Sequence, residues 1–175
     1  DPIDIAAILP HLTGAVGRLE SVRLGQNFTA LVDYAHSPDA VARVLETAHE
    51  ITDGRVIAVL GCGGDRDPGK RPLMGVAAVQ HSDLCLFTSD NPRSESPASI
   101  IDEMCRDLAV PLDPADCLTD RKAAIQRALT LQEPGDVVVI LGKGHERYQE
   151  IQGVRYPFND EAIVTAELMQ RGRVS

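Results

Sequence analysis

Strand-like apolar runs alternate with helical patterns four times along this chain. Parallel strands need a long crossover between them, and a helix is the usual one. The alternation therefore predicts a Rossmann-like α/β fold: an open, mostly parallel sheet with helices on both faces. The most strand-like run is Val137-Val138-Val139-Ile140-Leu141. It is continuous rather than alternating, as expected of a strand covered on both sides. Comparable runs occupy residues 28–33, 55–60 and 84–88. Residues 18–22 read as an edge strand, and Leu118 as the close of a short one.

The intervening helices carry their own start signals. Ser37 can cap a helix with Pro38 at its first position. That helix runs to about Ile51, with Val41, Val44, Leu45 and Ala48 on one face. Pro72 opens a helix to about His81, and Pro97 opens one to about residue 109. Asp120 caps another over Arg121 to Leu131. Further helical patterns lie within residues 1–17 and over 160–170. Tyr148-Gln149-Glu150-Ile151 with the Gly153 turn suggests a small antiparallel hairpin. With no internal repeat, low-complexity segment or linker, residues 1–175 read as one domain.

Composition removes several function classes. Aromatic residues make up 3% of the chain, Trp is absent and the formal net charge is −9. Single-stranded nucleic acid is held by aromatic stacking and phosphate backbones by a cationic surface, so no nucleic-acid partner is expected. No apolar run is long enough to span a bilayer, and no signal peptide is recognisable. Cys62, Cys85, Cys105 and Cys117 lie far apart, without C-x-x-C or zinc-finger spacing. They read as small buried hydrophobes in a reducing cytosol. No His and carboxylate pair has a convincing metal-ligand spacing, and His11, His49 and His81 read as surface residues. Asp1 is not a natural start, so the chain reads as a fragment or a processed product.

Four polar clusters each sit directly after a strand run. They are Asp33-Tyr34-Ala35-His36, the Gly-rich stretch 61–71, Asp90-Asn91-Pro92-Arg93, and Gly142-Lys143-Gly144-His145-Glu146. In a doubly wound sheet ligands bind outside the carboxyl ends of the strands, so the clusters are expected to converge there. Arg93 offers a planar fork matched to a carboxylate. Asp90 and Asn91 can hold an ammonium, and Glu146 can accept from one. That pairing suits a ligand carrying both charges, such as an amino acid. Lys143 and His145 also read as members of a solvated loop. His36 either meets a nucleotide base or closes the turn before Pro38.

The stretch Gly64-Asp65-Arg66-Asp67-Pro68-Gly69-Lys70-Arg71 nearly matches the G-x-x-x-x-G-K-[ST] phosphate loop. Arg71 stands where a hydroxyl would hold Mg²⁺, and Asp65 and Asp67 would repel a wrapped triphosphate. Two readings stay open. Arg66, Lys70 and Arg71 meet anions supplied partly by another domain, or Asp65, Arg66 and Asp67 pair among themselves and shape the loop.

Together these stretches resemble the C-terminal domain of the Mur ligases. The resemblance is carried by Gly17-Arg18-Leu19-Glu20, Asp33-Tyr34-Ala35-His36-Ser37-Pro38, Gly61-Cys62-Gly63-Gly64-Asp65-Arg66-Asp67 and Gly69-Lys70-Arg71-Pro72-Leu73-Met74-Gly75. Asp90-Asn91-Pro92-Arg93 and Gly142-Lys143-Gly144-His145-Glu146 complete it, in family order. Ala15-Val16 departs from the Val-Pro usual before Gly17-Arg18. The Asp-Asn-Pro-Arg form resembles members that select meso-diaminopimelate; lysine-adding members differ at this motif.

The resemblance implies that Arg66, Asp90, Asn91, Arg93, Gly142 and Glu146 bind meso-diaminopimelate. It implies that Asp33, Tyr34, His36, Lys70 and Arg71 approach ATP on domain closure. It implies no metal ligand and no catalytic residue within this domain. The family reaction is a cytoplasmic, bacterial amide synthesis driven by ATP with Mg²⁺. ATP phosphorylates the D-Glu γ-carboxylate of UDP-MurNAc-L-Ala-D-Glu, and an amine attacks the acyl phosphate. The UDP-binding N-terminal domain and the ATP-binding central domain match nothing in this sequence, so the fragment alone is expected to be inactive. The alternatives are a free-standing amino-acid or anion-binding module, a ligase adding L-lysine, and a folate polyglutamylating enzyme. Asp90 to Arg93 argues against the last two.

Overall fold

A computed structural model describes residues 19–172. The helical pattern expected within residues 1–17, His11 and the Ala15-Val16 departure lie outside the described residues. The element order is β1 (Glu20–Val22), β2 (Thr29–Asp33), α1 (Pro38–Glu50), β3 (Val56–Cys62), α2 (Lys70–Gln80), β4 (Leu84–Ser89) and α3 (Pro97–Cys105). After a short 3₁₀ turn at Pro114–Asp116 come β5 (Cys117–Leu118), α4 (Arg121–Leu131), β6 (Val137–Leu141), β7 (Tyr148–Ile151), β8 (Val154–Pro157) and α5 (Asp160–Gly172).

Six strands form one sheet in the order β1-β2-β6-β3-β4-β5. Only β1 runs antiparallel to its neighbour. β7 and β8 form a separate antiparallel hairpin, closed by Gln152 and Gly153, both at positive φ, as a two-residue hairpin turn demands. The fold is the expected α/β architecture with its small antiparallel element.

Val137–Leu141 lies at the centre because it can bury both faces. Val137, Val139 and Leu141 enter one core with Leu31, Leu60, Phe87 and residues of α1, α2 and α3. Val138 and Ile140 enter a second core with Val32, Ile57, Leu86 and residues of α4 and α5. Helices thus cover both faces, and each such side chain contributes ~1.5–3 kcal/mol relative to exposure. On α1, Val41, Leu45 and Ala48 are buried, and the Ser37 hydroxyl accepts from Ala40 N. The Asp120 carboxylate caps α4 by accepting from Lys122 N and Ala123 N.

Three boundaries differ from the sequence expectation. β3 continues through Gly61 and Cys62, which pair with Thr88 and Ser89 rather than opening the loop. α2 begins at Lys70, two residues before Pro72, because first-turn N–H groups have no helical partner and proline is tolerated there. α3 ends at Cys105, not near 109. Pro111 disfavours helical geometry at Val110, and Leu108 N already closes a turn onto Cys105 O.

Candidate functional site at the strand carboxyl ends

β2, β6, β3 and β4 are adjacent and parallel, so their carboxyl ends share one edge. The four polar clusters meet there around a cleft of about 490 Å³. Arg66, Asp90, Asn91, Arg93, Gly142 and Glu146 all line it, as do Tyr34, His36, Lys70 and Arg71. Asp33 does not. A larger, more open groove of about 840 Å³ runs along α5 past Ala162, Ala166 and Met169. None of the four clusters lines that groove, so the chemistry lies in the smaller cleft.

The Gly-rich loop packs backbone to backbone on the loop after β4. Gly64 N donates to Asn91 O at 2.8 Å, and a Cβ on Gly64 would stand 1.9 Å from Pro92 O. The Asp65 carboxylate accepts from Ser94 Oγ, and Asp67 accepts from Gly69 N. These carboxylates therefore shape the loop through its backbone and Ser94, not by pairing with Arg66. No ion-pair partner holds Arg66 or Lys70 among the described residues, and both are exposed. They form the cationic lip of the cleft.

Arg93 is fixed from both sides. Its backbone sits at φ +51°, and Nη1 donates to Gly64 O at 2.7 Å. Its Nε lies 3.7 Å from a Glu150 carboxylate oxygen. The hairpin holds the same loop along its length. Gln149 Nε2 donates to Asp90 O, Glu150 N to Asn91 Oδ1, Arg93 N to Glu150 O, and Gln152 N to Arg93 O. The hairpin was legible in sequence; its grip on the Arg93 loop was not.

The floor of the cleft is a buried charge cluster. Lys143 is 0% exposed, so it is not part of a solvated loop. Its Nζ reaches Asn91 Oδ1 and Glu146 Oε2, each at 3.0 Å, and lies 3.7 Å from Asp90 Oδ1. Asn91 Nδ2 donates to Glu146 Oε2 at 2.9 Å. Burial alone would raise the Glu146 carboxyl, but the hydrogen bonds from Lys143 and Asn91 outweigh it and hold Glu146 below its usual range. Glu146 is therefore an ionised acceptor at neutral pH. Burial pushes Asp90 up, against the pull of Arg121 and Lys143. Gly142 adopts φ +111°, and a Cβ there would stand 2.7 Å from Asp90 Oδ2; only glycine lets β6 end this close to the carboxylate.

Arg121 entered the sequence reading only as the first residue of a helix. It is buried, pairs with Asp160 through two hydrogen bonds, and donates to Ser89 O and Leu141 O. It thereby ties the ends of β4 and β6 to the start of α5.

Two residues expected near ATP on domain closure also make contacts within this domain. The Arg71 guanidinium is 2% exposed and bonds Glu95 twice, Glu103 and Gly63 O. It braces the loop instead of facing solvent. Asp33 accepts from Leu19 N and Ala35 N and so shapes the turn after β2. Tyr34, His36 and His145 gather at the exposed mouth, with ring centroids 4.8 Å apart for Tyr34 and His36, and 5.9 Å for Tyr34 and His145. His36 Nδ1 bonds Tyr34 O at 2.9 Å, so it closes its own turn.

The one cleft thiol is not a ready nucleophile. Burial pushes the Cys62 thiol up to about 12. Among the described residues no group of three or more His, Cys, Asp or Glu is arranged to hold a metal ion. What the cleft does offer is a guanidinium and an ionised carboxylate in one enclosure, which is an amino-acid recognition pattern.

Comparison with known proteins bears on what this pattern serves. Residues 17–144 match the family model described as "Mur ligase, glutamate ligase domain". The chain is 45% identical over 168 residues to a UDP-N-acetylmuramoyl-L-alanyl-D-glutamate–2,6-diaminopimelate ligase of Geobacillus kaustophilus (strain HTA426), covering 96% of this chain and 34% of that protein. It is 50% identical over 148 residues to a ligase of the same name from Aquifex aeolicus (strain VF5), covering 85% and 30%. A solved structure of a ligase so named superposes with a TM-score of 0.81 at 41% identity, covering 95% of this chain and 34% of that one. The chain spans about a third of the length of the curated relatives it matches.

Proposed function

We propose, from the premise that the chain belongs to the Mur ligase family as its C-terminal domain, that its strand-end cleft binds meso-diaminopimelate. The ligase in question joins this amino acid to UDP-MurNAc-L-Ala-D-Glu during peptidoglycan precursor synthesis. The observation that carries the proposal is the pairing of Arg93 and Glu146 in one cleft. Diaminopimelate has a second amino-acid head where lysine has only an ammonium. Its distal carboxylate takes the Arg93 fork, with Arg66 at the lip. Its distal ammonium takes the ionised Glu146 carboxylate, which Asn91 holds in place, with Asp90 alongside. Curated relatives named for diaminopimelate support the choice.

The chemistry assigned to this domain is holding and orienting. With the distal head fixed, the other amine projects from the cleft toward the D-Glu carboxylate. That carboxylate is activated by ATP as an acyl phosphate, which the amine attacks with loss of phosphate. ATP and the UDP-linked precursor are bound by other parts of the complete ligase, and no cluster of three or more His, Cys, Asp or Glu is arranged for a metal ion among the described residues. Arg66 and Lys70 stand exposed at the lip, placed to meet phosphate charge when the domains close. Closure also excludes water from the acyl phosphate. Among the described residues no helix is long and apolar enough to cross a membrane, and the nucleotide-linked substrates support a reaction in the bacterial cytoplasm.

The test is substrate choice by the complete ligase. Phosphate release dependent on UDP-MurNAc-L-Ala-D-Glu is measured with meso-diaminopimelate or L-lysine. Turnover with the first should exceed the second by at least roughly 100-fold, because lysine brings no second carboxylate to the Arg93 guanidinium. Equal use of the two would overturn the assignment.

A further inference from the structure

We propose that Lys143 is a positioning residue for substrate recognition: without touching the amino acid, it locks Glu146, directly and through Asn91, into the arrangement that receives the distal ammonium. The inference rests on the diaminopimelate reading of the cleft.

The geometry leaves Lys143 little other work. Its ammonium is fully buried, and burying a lone cation is costly unless acceptors surround it. It has them: Asn91 Oδ1 and Glu146 Oε2 at 3.0 Å, and Asp90 Oδ1 at 3.7 Å. Asn91 Oδ1 also receives Glu150 N at 2.9 Å. With two donors on its oxygen, the Asn91 amide can present only Nδ2 toward Glu146, and it does so at 2.9 Å. Both bonds reaching Glu146 fall on Oε2. Oε1 has no hydrogen-bond partner among the described residues, so the fixed carboxylate keeps one oxygen for an incoming donor.

Lys143 also sets the charge state. It stands between two carboxylates, Asp90 and Glu146, and each raises the other's proton affinity. The other charged and titratable groups around them are Arg93 from the same loop as Asp90, Cys62 on β3, Tyr34 after β2, Tyr148 on β7, and the Arg121–Asp160 pair joining α4 and α5. Take the Lys143 charge away and Glu146 loses both a hydrogen bond and its nearest cation. It then takes up a proton more readily and no longer accepts from an ammonium.

The experiment compares Lys143→Met and Lys143→Gln with wild type in the complete ligase, between about pH 6 and about pH 9. In both variants KM for meso-diaminopimelate should rise at least about tenfold at neutral pH, the effect of leaving one buried partner unsatisfied. The ratio of variant to wild-type KM should grow as pH falls, since protonated Glu146 is the failing species. KM for ATP should stay within about twofold, because Lys143 acts only on the amino-acid side. An unchanged KM, or a ratio that does not vary with pH, overturns the proposal and leaves a merely structural lysine. Should both variants misfold, carbon NMR of the wild-type Glu146 carboxyl decides. Titration below the ordinary glutamate range supports the proposal, and titration within or above it overturns it. A wild-type ligase that does not use meso-diaminopimelate would instead overturn the functional reading beneath it. That failure is distinct from a competent enzyme indifferent to Lys143.

Discussion

Arg93 owes its place in the cleft to two neighbours that fix it, Gly64 O and Glu150. Arg93→Ala in the complete ligase should raise KM for meso-diaminopimelate on the order of 100-fold, the cost of truncating one side of a buried charge pair. Arg93→Lys should recover little, since it restores charge without the planar fork. KM for ATP should barely move in either, and steady-state kinetics with each substrate varied checks both. Glu146→Gln should impair amino-acid use similarly, because a neutral amide also donates toward the ammonium. The cleft placement of Arg93 and Glu146 was legible in sequence because loops after parallel strands share one edge. Lys143 and Arg121 were not. Whether a cation in such a stretch is solvated or buried depends on partners far along the chain, such as Asn91 for Lys143 and Asp160 for Arg121. The Arg71 brace was hidden for the same reason: only the fold brings Glu95 and Glu103 to it.

Between elements, the decisive contact is loop on loop. Gly64→Ala would drive a methyl group into Pro92 O, so the loops after β3 and β4 must part. The expected cost is about 1–3 kcal/mol, as for other overpacked sites. It should appear as a lower unfolding midpoint together with weaker diaminopimelate binding. The Arg71 brace makes a second prediction. Hydrogen bonds from Arg71, helped by Asp65 N, lower the Glu95 carboxyl from an ordinary value near 4.5 to about 2. A carboxyl depressed by folding stabilises fully above its unfolded value, and loses that contribution as pH falls through the folded one. Urea unfolding should therefore show wild type losing stability from pH 4.5 toward 2. Glu95→Gln should be weaker at neutral pH and lose less across that window. Apolar runs and caps made β2, β4, β6, α1 and α4 readable in sequence. The extension of β3 was hidden because Gly61 looks like loop punctuation, and only its pairing with Thr88 shows otherwise.

For the molecule as a whole, the convergence of four distant clusters was the boldest expectation from sequence, and it follows from topology. Once β2, β6, β3 and β4 lie parallel and adjacent, their following loops have no other edge to occupy. This domain supplies neither a phosphate loop nor a metal cage among its described residues. The isolated chain should thus consume no ATP, even with meso-diaminopimelate and the UDP-linked precursor present. Phosphate release above background would contradict that. The strand ladder, meanwhile, is complete without its loops: every side chain of β6 is buried by the sheet and its helices. Architecture and preference are separable inheritances here. Rewriting the four or five residues after β4 can retarget the pocket to a different metabolite while the scaffold beneath keeps its shape. Descent with altered taste then requires no new fold, only a new rim.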